Sequence, residues 1–144
     1  MSIQESVKIV PKGDIAILEF DLVGEKANKL NTPVMTRLKE LVQELAKSRY
    51  KAVIIKSNKS KIFIAGADIE EIKSMTTKDQ FDKAVAQGQE ILNMIEDLPM
   101  PVIAAVHGAC AGGRSLALHP YVLGRSYGQD RYYRRRRIHR IAAG

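Results

Sequence analysis

Pro101-Val102-Ile103-Ala104-Ala105-Val106-His107-Gly108-Ala109-Cys110-Ala111-Gly112-Gly113 joins a short apolar run to a loop with almost no side-chain bulk. A run of this kind, bounded by proline on one side and glycine on the other, reads as a buried strand over Val102–Val106. The small residues after it let a ligand come close to the peptide backbone. The same arrangement occurs upstream, where Ile62-Phe63-Ile64 reads as a strand and Ala65-Gly66-Ala67-Asp68-Ile69 follows it directly. Two such loops facing each other can aim two backbone N–H groups at one oxygen, the geometry of an oxyanion hole. They fit equally as tight turns whose small residues serve close packing, and spacing leaves both readings open.

Working outward from these loops gives the fold class. Ser6–Val10 and Asp14–Phe20 alternate β-branched and polar residues around Pro11-Lys12-Gly13, and read as a hairpin. Thr32-Pro33 supplies an N-cap and a first-turn proline, and Val34, Leu38, Leu41, Val42 and Leu45 follow at helical spacing, which predicts a helix over about 33–48. Ala52–Lys56 reads as a buried strand. Thr77 with Gln80 forms a capping box ahead of Phe81, Val85, Ile91 and Ile95, and this helix must stop before Pro99. Strands alternating with helices predict an α/β protein in which strand–helix junctions present free backbone donors.

Composition narrows the class further. The 144 residues suit one domain at most, and 45% hydrophobic with 27% charged residues is ordinary for a soluble globular protein. No run of about 18 apolar residues predicts a membrane span, and the first residues lack a secretory-signal pattern. The single Cys110 excludes an internal disulfide framework and suits a reducing, cytoplasmic compartment. One cysteine and the scattered His107, His119 and His139 do not have metal-ligand spacing, so no metal is expected. The net charge of +7 is unevenly placed: residues 1–113 hold 15 Lys+Arg against 15 Asp+Glu, whereas residues 114–144 hold eight Arg and the single Asp130.

Ile64-Ala65-Gly66-Ala67-Asp68-Ile69 with Glu71, together with Pro101 through Gly113, resembles the two signature loops of the enoyl-CoA hydratase/isomerase (crotonase) superfamily. The intervening helix fits as well, and Gly24-Glu25-Lys26-Ala27-Asn28-Lys29-Leu30-Asn31 looks most like the hydratase half of the multifunctional α-subunits of fatty-acid oxidation complexes. The resemblance covers residues 6–113 and implies the N-terminal part of a crotonase-like ββα spiral. It implies that the backbone N–H groups of Ala67 and Gly113 hold a thioester oxygen, and that an acyl-CoA is the substrate with no tightly bound cofactor. By the same resemblance Ala65, Gly66, Ala67, Asp68, Ile69, Glu70 and Gly112 border coenzyme A, and Lys26 and Lys29 are candidates for its phosphates, against an ordinary role as solvated surface lysines. The implied partners are the acyl-CoA and, as family members do, further subunits in trimers or multienzyme complexes. Asp68 and Glu71 read as a general base or, more simply, as acidic residues at the N-terminus of a helix starting near Ile69. His107 and Cys110 read as packing residues.

The resemblance departs after Gly113, and the chain is expected to be truncated or frameshifted there. A hydratase of this type continues Gly-Gly-Gly-x-Glu-Leu-Ala-Leu-Ala, whereas this chain reads Gly112-Gly113-Arg114-Ser115-Leu116-Ala117-Leu118-His119. Leu116 stands where the family's first glutamate would fall, and no match to the second is found. Codons for Glu-Leu-Ala-Leu-Ala read one nucleotide out of phase can give Arg-Ser-Leu-Pro-Leu-His, close to residues 114–119 as they stand. The tail, residues 114–144, is then a non-family basic segment whose composition promises no packed fold. Its Arg131-Tyr132-Tyr133-Arg134-Arg135-Arg136-Arg137 mix alternatively reads as a nucleic-acid-binding surface, the less favoured partner. The expected activity is hydration of trans-2-enoyl-CoA, absent from the chain as written because both family glutamates are missing. A non-catalytic acyl-CoA-binding remnant is the alternative.

Overall fold

The structure, a computed structural model, describes residues 2–110, 121–126 and 129–134. Period-two burial builds its main sheet. In β2 (Ile15–Phe20), Ala16, Leu18 and Phe20 point inward while Ile15, Ile17 and Glu19 face out. In β4 (Ala52–Ser57), Val53, Ile55 and Ser57 do the same, and Val102 and Ala104 continue that face in β7 (Val102–His107). β1 (Val7–Lys12) pairs antiparallel with β2 as the expected hairpin, from Val7 opposite Phe20 to Lys12 opposite Ile15. β4 and β7 add in parallel, with Ile17 opposite Ile54 and Ile54 opposite Ile103.

Parallel neighbours require crossover connections, and helices supply them. After the short α1 (Ile3–Ser6), α2 (Thr32–Ala46) links β2 to β4 and buries Val34, Leu38, Leu41, Val42 and Leu45 on the inner face. Its cap lies one residue earlier than the sequence predicts. Asn31, not Thr32, accepts from the Val34 N–H at 3.0 Å, because an asparagine preceding a threonine is an equally good cap and the proline tolerates either first-turn position. α3 (Ile69–Ser74) and α4 (Lys78–Glu96) link β4 to β7, and α4 begins with the expected capping box of Thr77 and Gln80. Only its C-terminal half, through Ile91 and Ile95, reaches the core.

Two small parallel ladders stand beside the main sheet. β3 (Lys29–Leu30) pairs with β6 (Gly66–Ala67), and β5 (Ile62–Ile64) pairs with β8 (Ala109–Cys110). Within the stretch expected to lack a packed fold, β9 (Tyr121–Ser126) pairs in parallel with β7, and β10 (Gln129–Arg134) returns antiparallel to β9. The strand order is β1-β2-β4-β7-β9-β10. β9 covers the edge of β7, which would otherwise present unpaired N–H and C=O groups, and Tyr121-Val122-Leu123 has the β-branched and aromatic character common in strands.

Candidate active site

The β5–β8 ladder brings Ala109–Cys110 beside the strand that leads into the first small-residue loop. Ile64 lies opposite Cys110, with Ile62 opposite Ala109 and a register shift between them. The first loop leaves Ile64 directly, and the second leaves Cys110 directly. Parallel pairing places Ile64 and Cys110 at the same end of the ladder.

Local chemistry then shapes the first loop. Gly66 has φ 116°, a conformation that suits glycine, and it is buried, whereas Ala65 and Ala67 on either side are exposed. β3 holds Gly66 and Ala67 in register with Lys29 and Leu30, and the Asp68 N–H donates to the Leu30 carbonyl at 3.3 Å. The Asp68 carboxylate caps α3 by accepting from the Glu70 N–H at 3.0 Å, the simpler of its two expected roles. Glu71 lies in the first turn of α3, as the simpler reading expects, and its side chain reaches further. Its carboxylate leaves α3 and accepts from the Thr32 N–H at 2.9 and 3.1 Å and from the Thr32 hydroxyl, so it caps the first turn of α2.

Ala67, Asp68 and Glu71 lie at the side of a cleft of about 340 Å³ between α2, α3 and α4. Its walls are mostly apolar, with Leu30, Met35, Ile72, Phe81, Val85 and Leu92 among them. Phe81 and Val85, which share a helical stripe with the buried Ile91 and Ile95, face this cleft and are 45% and 48% exposed. The cleft can take an extended apolar chain while Ala67 offers backbone at its rim.

The sequence profile of the enoyl-CoA hydratase/isomerase family matches residues 13–120. The chain belongs to that family. It is 38% identical over 115 residues to the fatty acid oxidation complex subunit alpha of Vibrio parahaemolyticus, covering 78% of this chain and 16% of that one. An enoyl-CoA hydratase/carnithine racemase of known structure from Magnetospirillum magneticum superposes with a TM-score of 0.73 at 25% identity, over 83% of this chain and 46% of that one. An enoyl-CoA hydratase from Bacillus anthracis shares the fold, with a TM-score of 0.72 at 24% identity over 83% and 47% of the two chains. The chain thus spans about a sixth of the Vibrio relative and about half of each solved one. The α/β architecture expected from the two loops is the N-terminal part of the crotonase fold.

The remaining candidate residues of this family member separate clearly. Ile69 is 65% exposed, and Glu70 is exposed beside it. Lys26 is exposed on the loop before β3. Lys29 is held by Glu25 at 3.4 Å, and that hydrogen-bonded carboxylate, with Asp68 and Glu70 beyond it, raises the ammonium above its usual 10.5. Gly112 and Gly113 lie outside the described residues. The His107 ring packs edge-on against Phe63, with centroids 6.5 Å apart, and its Nε2 meets the Lys59 carbonyl oxygen, as a packing role requires. Among the described residues no helix is long and apolar enough to cross a membrane, and no group of three metal-ligating side chains converges. Sequence reasoning missed the Thr32–Glu71 contact and the buried Asn28, whose surroundings depend on pairings far along the chain.

Proposed function

We propose that this chain is the thioester-binding half of an enoyl-CoA hydratase of fatty-acid β-oxidation, with the substrate carbonyl oxygen between the N–H groups of Ala67 and Gly113. The pairing of β5 with β8 carries the reading. In the sequence Ala67 and Gly113 each stand three residues beyond a paired couple, Ile64 and Cys110, and this equal spacing supports assigning both N–H groups to one oxygen. The acyl chain enters the cleft between α2 and α4, and coenzyme A runs along Ala65–Glu70 and Gly112. Lys26 is better placed for its phosphates than Lys29, which already has a carboxylate partner.

Water addition to an enoyl thioester places negative charge on the carbonyl oxygen. Fixed donors that strengthen as that charge grows lower the barrier by about 3–4 kcal/mol each in acyl-transfer sites. The donors are main-chain groups, so alanine and glycine suffice. Activation of the water is a side-chain task, and Leu116 stands where the family's glutamate would act. The chain therefore binds trans-2-enoyl-CoA without hydrating it.

Calorimetric titration with crotonyl-CoA, run beside a hydration assay on the same preparation, tests this. Saturable binding, weakened by Gly113→Pro and unaccompanied by product, is expected. Steady hydration that Gly113→Pro abolishes would overturn the assignment of inactivity, and absence of binding would overturn the thioester site itself.

A further inference from the structure

We infer that Asn28 is a positioning residue for the Ala67 N–H, holding the first loop to the central sheet through a buried side-chain amide; the inference rests on the thioester reading above. Asn28 has 0% exposure. Its Oδ1 accepts from the Leu22 N–H at 3.0 Å. Its Nδ2 faces the Ser57 hydroxyl oxygen at 2.8 Å, the Phe63 carbonyl at 3.0 Å and the Phe20 carbonyl at 3.2 Å. Its own carbonyl accepts from the Ala65 N–H at 2.8 Å. One residue thus touches the last residues of β2 and β4, the middle of β5, and the first residue of the loop that leads to Ala67.

The connectivity explains why an amide is needed. An amide nitrogen has two protons, which here serve three acceptors, so one contact is shared. Aspartate would set a carboxylate against two carbonyl oxygens, and an apolar side chain would leave buried acceptors without donors. Ser57 extends the network, donating to the Ile62 carbonyl at 3.0 Å and accepting from the Lys59 N–H at 3.1 Å. Asn28 also leads straight into β3, which keeps Leu30 opposite Ala67. The loop is therefore gripped at Phe63, Ala65 and Ala67 in succession, and each grip traces back to residue 28 or to the two residues after it. An oxyanion donor displaced by a fraction of an ångström loses much of its effect, which makes such referencing to a rigid sheet functional.

The full chain is studied as wild type, Asn28→Ala, Asn28→Asp and Ser57→Ala, with the core variant Leu45→Ala as a stability control. The probe is an aryl-enoyl-CoA whose absorption moves to longer wavelength when its carbonyl is polarised. Hydrogen exchange at the Ala65 and Asp68 amides is followed in the ligand-free protein. Asn28 variants are expected to speed that exchange about tenfold, and to lose most of the wavelength shift while affinity for coenzyme A itself is retained. Leu45→Ala lowers the melting temperature yet keeps both signals. A folded Asn28 variant with the wild-type shift and exchange overturns the inference, as does a Leu45→Ala protein that loses the shift as completely as the Asn28 variants. Should the Asn28 variants not fold, Ser57→Ala decides: a partial loss of shift supports the positioning role, and a full shift overturns it. Should wild type bind no thioester, the function proposed above falls, and amide exchange alone decides whether Asn28 holds the loop.

Discussion

At φ 64°, Gly108 takes a backbone conformation that L-residues rarely adopt, and a Cβ there would lie 2.2 Å from the Lys61 carbonyl oxygen and 2.6 Å from its carbon. Both atoms are backbone, so no side-chain rotation relieves the clash. Gly108 separates β7 from β8, and Lys61 precedes β5, so the clash falls at the start of the β5–β8 ladder. Gly108→Ala is expected to cost about 2–5 kcal/mol from left-handed strain and overpacking together, read by urea denaturation. Loss of under 0.5 kcal/mol would show that the Gly108 and Lys61 backbones do not approach so closely. Small residues such as Gly66 and Gly108 were legible in the sequence because glycine directly after an apolar run marks a tight turn or a close approach of backbone. Asn28 was not. Its partners at positions 20, 57 and 63 converge only once three strands are in place.

Helix starts were legible to within a residue because capping is local chemistry, whereas α2 ends at Ala46, two residues before the expected 48. Thr77 accepts from the Gln80 N–H at 3.2 Å, while the Gln80 side chain accepts from the Thr77 N–H at 3.4 Å. Thr77→Ala removes one half of this box at the start of a 19-residue helix. The expected loss is about 1 kcal/mol, seen as a lower urea midpoint with an unchanged slope, and Thr77→Ser should restore it. A Thr77→Ala protein as stable as wild type would show that α4 is held by packing alone. Helical spacing misled at the other level. Phe81, Val85, Ile91 and Ile95 form one stripe in sequence, yet only the last two enter the core. The first turns of α4 pass over the cleft instead, and α3 is tied across to α2 by Glu71 and Thr32, which are 39 residues apart. No local pattern announces a contact of that range.

Across the whole molecule, the packed side of the sheet is covered by α2 and the C-terminal half of α4, with Phe20, Phe63, Leu38 and Ile55 among the fully buried residues. The α3–α4 side is different: Ile69, Ile72, Phe81 and Val85 are 65%, 38%, 45% and 48% exposed. Single exposed apolar residues are ordinary, but four on adjoining helices beside an apolar cleft make a patch that favours binding or association. Because Phe81 and Val85 are already half in water, replacing both with glutamine removes little native packing and is expected to change stability by under about 1 kcal/mol. The same change strips apolar wall from the cleft. With a buried methylene worth about 0.8 kcal/mol, affinity for a long-chain acyl-CoA should fall at least tenfold, while affinity for a two-carbon acetyl-CoA stays constant. Light scattering of the double variant should also show less association at high concentration. Calorimetry with the two thioesters separates the outcomes. Equal losses for both would mean that Phe81 and Val85 support the fold or the coenzyme A end, and that the acyl chain lies elsewhere. A loss confined to the long chain would assign the cleft between α2 and α4 to that chain.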